Sequence, residues 1–345
     1  MTLASTRRLR GGAPSLLPAR LRAALLCSIA ASTLASASMP AAAQQAFPTK
    51  PVRFVATFPP GGGADLTGRI LGARLGELWK QPVVVENRTG AGGSVGAELV
   101  SRANPDGYTL LLVAASHAVN AALLQKLSFD LLKDFKPVAL ATSAPILLAV
   151  NPRVKANNLL EFTGLMRAQP DKLDYASCGM ATTHHFTMEL YKFETKTSAL
   201  HIPHSCAIAV ANAVGGQLDV IAVTLASALP FVQQGKLRAL ALSSQDRSPL
   251  APDIPTFRDS GMPELKGFAV ENYYGLLAPS ATPDAVVKKV EADVRAVLQD
   301  PDLRKKLAGA GLDPFFRSGA DTAKLLRADV ERYRRIAAIA GIKQE

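Results

Sequence analysis

The sequence lacks most of the short motifs that identify a catalytic or metal centre. It contains no H-E-x-x-H zinc motif, no C-x-x-C pair, no P-loop and no G-x-G-x-x-G nucleotide fingerprint. Three cysteines occur in 345 residues, and one of them, Cys27, lies in an N-terminal apolar run. The other two cannot hold a metal ion unaided, so we expect neither a metal site nor a cofactor.

Acidic residues are missing from the start of the chain, where none precedes Asp65. Residues 1–43 instead carry five arginines, an apolar, small-residue run at 23–37, and possible cleavage sites at 35–37 and 41–43. That order is typical of a secretory signal peptide. We therefore expect residues 1–43 to be removed and the mature protein to be periplasmic. A retained anchor is the alternative, although a bilayer span needs about 20 apolar residues.

The sequence also has no cluster of lysines and arginines interleaved with aromatic residues, which argues against nucleic-acid binding. The formal net charge is +11, and about +6 remains once the leader arginines are removed. Such mild basicity attracts anionic solutes only weakly at physiological salt. The sequence is thus that of a mildly basic secreted protein.

Short apolar segments rich in β-branched residues alternate with helical patterns along the mature chain. Strands are predicted at 52–58, 83–86, 108–113, 138–141, 146–150, 173–177, 199–202, 218–223 and 237–242, and the tail from residue 283 is predicted to be helical. Continuous apolar runs are typical of strands covered on both faces. The alternation predicts an α/β fold with doubly wound, mostly parallel sheets.

The chain offers an anion site where the first strand ends. Residues 58–69 read Phe-Pro-Pro-Gly-Gly-Gly-Ala-Asp-Leu-Thr-Gly-Arg and lead from that strand into a helix. Successive glycines let a ligand approach the main chain, and the free N–H groups of a helix N-terminus favour an anion. A small acidic ligand is the hypothesis; a sharp turn with no ligand is the alternative. Asp65 would repel an anion, so we expect it to be structural and to face away.

A second strand, turn and helix at 175–193 repeats this arrangement, and Thr182 or Thr183 can cap the helix. Two such turns in separate domains predict a clamp that holds its ligand between two lobes. His184 and His204 lie near the second turn, and either could hydrogen-bond a carboxylate or pack in the structure.

Two cysteines, Cys178 and Cys206, each follow a strand predicted for the second lobe. If those strands are neighbours, the pair can form a disulfide that joins two turns, provided their Cα atoms lie within about 7 Å. Two free, partly buried thiols are the alternative. A Cys178 nucleophile with a nearby histidine would make the protein an enzyme, but no orienting acid can be assigned.

The mature chain resembles the Bug-type periplasmic solute-binding proteins of tripartite tricarboxylate transporters. The similar stretches are 47–51, 58–65, 82–88, 90–93, 105–110, 134–138, 215–217 with Asp219, 235–240, 255–256 and 275–279. The resemblance implies a type II periplasmic-binding-protein fold that closes like a flytrap on a small carboxylate. It also implies integral membrane transporter subunits as partners, no catalytic activity, and a monomer.

By this resemblance the first lobe comprises residues 44–144 and 270–345, and the second comprises residues 145–269. Backbone N–H groups of one turn in each lobe would hold the carboxylate. The candidate ligand-binding residues are Pro60, Gly61, Gly62, Gly63, Ala64, Asp65, Ser116, Ser177, Gly179, Thr182, Thr183, His184 and His204.

The second lobe departs from the family pattern. The turn at 177–182 reads Ser-Cys-Gly-Met-Ala-Thr where the family has Ser-Ala-Gly-Asn-Gly-Ser, and residues 204–206 read His-Ser-Cys where it has Tyr-Lys-Gly. The identity of the carboxylate, and whether binding is retained, stay open. A periplasmic sensor for a signalling partner is the main alternative, because its binding chemistry would be the same.

Overall fold

The computed structural model describes residues 47–123, 127–180 and 182–340, with the side chains of Ala91 and Ala340 excepted. The predicted signal peptide lies outside the described residues. Within them, no helix has the length and apolar character needed to cross a membrane.

Eleven strands among the described residues form two sheets. The first sheet has the order β11-β4-β10-β3-β1-β2, and the second has the order β7-β6-β8-β5-β9. The strands are β1 (Val52–Ala56), β2 (Val83–Asn87), β3 (Thr109–Ala114), β4 (Phe135–Ser143), β5 (Ile146–Val150), β6 (Asp174–Ser177), β7 (Leu200–Pro203), β8 (Val220–Thr224), β9 (Arg238–Leu242), β10 (Tyr273–Pro279) and β11 (Asp313–Ser318).

Ten α-helices of the described chain cover the sheets. They are α1 (Gly63–Trp79), α2 (Ser94–Ser101), α3 (Ala115–Leu123), α4 (Leu159–Ala168), α5 (Thr183–Thr195), α6 (Cys206–Val214), α7 (Leu225–Gln233), α8 (Asp284–Val297), α9 (Pro301–Gly309) and α10 (Gly319–Ala340). Helices α4 to α7 belong to the second sheet and the others to the first, so the fold has two α/β lobes.

Both sheets are mixed. In the first sheet β1 to β4 run in one direction and β10 and β11 in the other. In the second sheet β5 runs opposite to the other four strands. All nine predicted strands are present. The sequence predicted β10 only as part of an extended crossover, and it did not predict β11.

The chain passes between the lobes twice, from β4 to β5 and from β9 back to β10. The two passages lie side by side, because the Ala144 N–H donates to the Asn272 carbonyl at 2.8 Å and the Val270 N–H donates to the Ser243 carbonyl at 2.9 Å. Each passage has a small residue at this point, Ala144 in the first and Ser243 in the second. The two lobes are therefore connected by a pair of adjacent, hydrogen-bonded segments.

Apolar side chains fill each lobe on both sides of its sheet. Every residue of β5 and all but one residue of β1 are buried. One cluster continues across the lobes, since Phe186 of α5 meets Tyr333 of α10 with ring centroids 5.3 Å apart. The carboxyl ends of β1 and β3 in one lobe, and of β6, β7 and β8 in the other, border a common cavity.

Candidate functional site

The cavity between the lobes has a volume of about 640 Å³. Five helices begin at its wall: α1 and α3 from the first lobe, and α5, α6 and α7 from the second. Each contributes residues of its first turn to the lining, including Gly63, Ser116, Thr183, Cys206 and Ser227. Because a helix N-terminus carries unsatisfied N–H groups and a partial positive charge, the cavity is built for an anion.

The backbone N–H groups in the first turn of α1 have no side-chain cap. Its N-cap residue is Gly62, which has no side chain to cap the helix. A Cβ on Gly63 would lie 2.4 Å from the Tyr274 ring, so glycine is needed for this tyrosine to pack against the turn. The turn therefore presents bare backbone to the cavity with an aromatic ring behind it.

Hydrogen bonds connect the start of α5 to Tyr274, the tyrosine behind the glycine turn, by way of Asn272 in the returning crossover. The Thr183 hydroxyl donates to the Asn272 side-chain oxygen at 3.3 Å, and the Asn272 amide donates to the Tyr274 hydroxyl at 3.1 Å. Thr182 caps α5, because its side chain accepts from the His185 N–H at 3.3 Å. These side chains satisfy one another, which leaves the N–H groups of Thr183 and His184 for a ligand.

The starts of α6 and α7 complete the second-lobe wall. Ser205 caps α6 by accepting from the Ile208 N–H. The Leu225 N–H of α7 donates to the Pro145 carbonyl at 2.8 Å, and Thr224 provides no side-chain cap. His184 Nε2 lies 3.1 Å from the Thr224 hydroxyl, which ties α5 to α7 across this wall.

No aspartate, glutamate, lysine or arginine belongs to the lining as far as the described residues define it. The one histidine there is His184, and burial lowers its pKa to about 4. The ring is therefore uncharged at neutral pH. A ligand's negative charge would meet peptide dipoles and hydroxyl groups rather than counter-ions.

Nine of the predicted ligand-binding residues line the cavity. They are Pro60, Gly61, Gly62, Gly63, Ala64, Ser116, Thr182, Thr183 and His184. The structure places the other four, Asp65, Ser177, Gly179 and His204, outside the lining.

Asp65 stands behind the glycine turn and holds it. Its carboxylate accepts from the Gly61 N–H at 3.0 Å, from Asn87 at 2.9 Å and from Arg69 at 2.9 Å. Burial acts to raise the pKa of Asp65, but the hydrogen bonds from Arg69, Gly61 and Asn87 outweigh it and lower that pKa. The residue thus stays ionised while its charge is matched inside the protein.

Ser177 is buried at the end of β6 and serves the turn from within. Its hydroxyl lies 2.8 Å from His201 Nε2 and donates to the Gly179 carbonyl at 3.0 Å. The His201 ring stacks on His185 with centroids 4.0 Å apart. The Ser177 hydroxyl is therefore engaged in holding the turn and does not line the cavity.

Cys178 and Cys206 are joined by a disulfide, with their Cα atoms 4.4 Å apart. The bond is possible because β6 and β7 are parallel neighbours, which brings the turns that follow them together. Both cysteines line the cavity, so the disulfide is part of the second-lobe wall. The alternative of two free thiols is not the state seen in this structure.

The cysteine nucleophile of the enzyme alternative is not available in this structure. In the disulfide Cys178 has no thiol to ionise. Residues 92–96 fit the G-x-S-x-G spacing of a hydrolase elbow, but the buried Ser94 hydroxyl has no hydrogen-bond partner within the described chain. A serine nucleophile needs a base in hydrogen-bond contact.

Several lining residues carry no sequence signal. Tyr274 and Asn272 come from the returning crossover, and Ala310, Gly311 and Leu312 come from the loop between α9 and β11. Thr224 and Ser227 could have been found, because they lie where another strand leads into a helix. The others reach the cavity through tertiary packing alone.

A family model described as tripartite tricarboxylate transporter family receptor matches residues 68–342. The protein BugT of Bordetella pertussis is 29% identical over 300 residues, which cover 86% of this chain and 91% of BugT. MatC from Rhodopseudomonas palustris, solved with bound malate, is 31% identical with a TM-score of 0.70 and covers 84% of this chain and 99% of MatC. An R. palustris protein solved with adipate is 28% identical with a TM-score of 0.74, covering 86% and 99%. The chain belongs to the family of tripartite tricarboxylate transporter receptors.

Proposed function

We propose that this protein is a periplasmic receptor that captures a small carboxylate between its lobes and delivers it to integral membrane transporter subunits. The observation that carries the proposal is the convergence of five helix N-termini from both lobes on one cavity without charged side chains. The malate and adipate held by the two relatives support a carboxylate as the ligand class. The proposal includes the lobe boundaries 44–144 with 270–345 and 145–269, removal of residues 1–43, and a monomeric state.

In this proposal one carboxylate group of the ligand binds, through its two oxygens, at the N-terminus of α1 in the first lobe. The N–H groups of Gly63 and Ala64 belong to an uncapped first turn and lack helical acceptors. An anion there gains hydrogen bonds and a favourable dipole, each stabilising by about 0.3–2 kcal/mol. The Ser116 hydroxyl at the start of α3 adds a donor from the same lobe.

The second lobe supplies the opposing donors. The N–H groups of Thr183 and His184 at α5, and of Ala226 and Ser227 at α7, lie in first turns at the cavity wall. A ligand that bridges the two sets favours the closed arrangement of the lobes. Closure would then report an occupied site to the membrane subunits.

A thermal-shift screen against mono-, di- and tricarboxylates tests the proposal, after native mass spectrometry has established that the protein is free of copurified ligand. At a hundred times the dissociation constant, a ligand should stabilise the fold by about 2.7 kcal/mol. Methyl esters of the same acids are matched controls, since they keep the shape and lose the charge. Stabilisation by acids and not by their esters is expected. An empty protein that no carboxylate stabilises would refute the proposal.

A further inference from the structure

Three side chains with metal-ligating atoms meet on the second-lobe wall. The sulfur atoms of Cys178 and Cys206 and a ring nitrogen of His184 all lie within 4.8 Å of one another. They come from three separate segments, the β6–α5 turn, the start of α6 and the start of α5, so the cluster is a product of the fold. All three line the cavity.

His184 has a ring nitrogen that the protein does not use. Its side chain is 8% exposed, and the buried Nδ1 has no hydrogen-bond partner in the described chain. Nε2 lies 3.1 Å from the Thr224 hydroxyl. A ligating histidine commonly has its other nitrogen fixed by such a partner, which sets the tautomer and the ring orientation. A buried polar atom left without a partner is otherwise costly.

The donor set suits Zn²⁺. Two thiolates and one imidazole are the ligands of a Cys₂His site, in which Zn–S distances are about 2.3 Å and Zn–N distances about 2.0 Å. Cys206 is the first residue of α6, where the partial positive charge of the helix N-terminus stabilises a nearby negative charge. Three protein ligands leave one position of a tetrahedral zinc ion open. The open position would face the cavity that the three residues line.

We propose that the reduced form of this protein binds one Zn²⁺ ion through Cys178, Cys206 and His184. The step begins when a dithiol reductant transfers two electrons to the disulfide; its S–S bond breaks, two protons are taken up, and the reductant becomes a disulfide. Zn²⁺ then displaces the two thiol protons and binds both thiolates. The disulfide and the zinc site are thus two exclusive states of the same wall. This inference does not depend on the identity of the carboxylate.

The test compares oxidised and reduced protein at equal zinc concentration. The protein is reduced anaerobically with a phosphine, exchanged with Zn²⁺, freed of excess metal by gel filtration and analysed for zinc and for thiols. We expect one zinc per chain in the reduced protein and less than about a tenth of that in the oxidised protein. Replacement of zinc by Co²⁺ should give a thiolate charge-transfer absorption band.

Matched variants locate the site. His184→Ala should weaken zinc binding by at least about tenfold in competition with a chromophoric chelator. His204→Ala, a histidine near the same turn but outside the cluster, should bind as the wild type does. The double variant Cys178→Ser and Cys206→Ser should bind no zinc, and its circular dichroism spectrum checks that it folds.

Two results would overturn the proposal. One is a reduced wild-type protein that retains no more zinc than the double serine variant or than reduced protein alkylated with iodoacetamide. The other is a His184→Ala variant that binds zinc as tightly as wild type, since histidine would then play no part.

Discussion

Gly311 and Ala226 meet across the cavity: a Cβ placed on Gly311 would lie 2.0 Å from the Cβ of Ala226. Gly311 belongs to the loop between α9 and β11, and Ala226 lies in the first turn of α7. The contact therefore joins the first lobe to the second beside the ligand-binding wall. Gly311 also has φ +71°, a conformation that other residues rarely adopt.

Gly311→Ala should weaken carboxylate binding, because the added methyl group holds the lobes apart at this contact. Overpacking of this kind costs about 1–3 kcal/mol, which corresponds to an affinity loss of about five- to 150-fold. Titration calorimetry with the best ligand of the screen measures it. Gly261→Ala is the control, since Gly261 has φ +75° and nothing within 4 Å of its Cβ position. Equal affinities in the two variants would show that the contact does not govern closure.

Removal of the Cys178–Cys206 disulfide should lower the free energy of unfolding by about 3.5 kcal/mol, because the bond closes a loop with a sequence separation of 28. Urea denaturation of the double serine variant measures the loss. Wild-type protein under reductant should show a similar loss when zinc is absent, whereas the variant should not respond to reductant. A variant as stable as the oxidised wild type would contradict the expectation.

Asp65→Asn should destabilise the protein by about 1–3 kcal/mol at neutral pH, because the charge-assisted bonds from Arg69 and Gly61 are weakened. Since the folded-state pKa of Asp65 is lowered, its contribution is present above the unfolded pKa and is lost as pH falls through the folded value. The gap between variant and wild type should therefore close in acid. Glu77→Gln, at an exposed ion pair, is the control and should change stability little.

Three buried histidines and the half-buried His201 should make the fold acid-sensitive. Burial lowers the pKa of His117, His184, His185 and His201 to about 4 in the folded protein. Between about pH 6.5 and pH 4 the unfolded chain binds protons that the folded chain does not, so stability falls as pH falls. The slope reaches about 1.4 kcal/mol per pH unit for each such proton. Urea denaturation across this range measures it, and a flat profile would contradict it.

The strands that could be predicted from the sequence are those whose residues are buried. Strands such as β1 and β5 are buried almost throughout, and their apolar runs identified them in the sequence. β11 is only partly buried, contains Pro314 and Arg317, and pairs through an irregular register with β4, so it has no comparable pattern. A hydrophobic sequence pattern identifies a strand whose own residues are buried. β11 instead forms because β4 offers it hydrogen-bonding partners at the side of the sheet.

The residues of the site likewise divide into those that a local sequence pattern predicts and those that only the tertiary structure brings to the cavity. The turn at Gly61 and the cap at Thr182 are local features with a sequence signature, and both are present at the cavity. Tyr274 and Gly311 approach it from distant parts of the chain. The hydroxyl of Ser177 is consumed by His201, a partner in a different strand. Such competition between neighbours cannot be inferred before the register of the strands is known.

The distribution of the helix N-termini between the two lobes has a consequence for ligand release. Two of the five belong to one lobe and three to the other, so neither lobe carries the whole set of donors. Under the proposed function, bending at Ala144 and Asn272 would separate the two sets and return their N–H groups to water. Opening would then have to overcome the hydrogen bonds that the bridging ligand makes to both lobes. In the proposed function, the membrane subunits release the ligand by separating the two lobes.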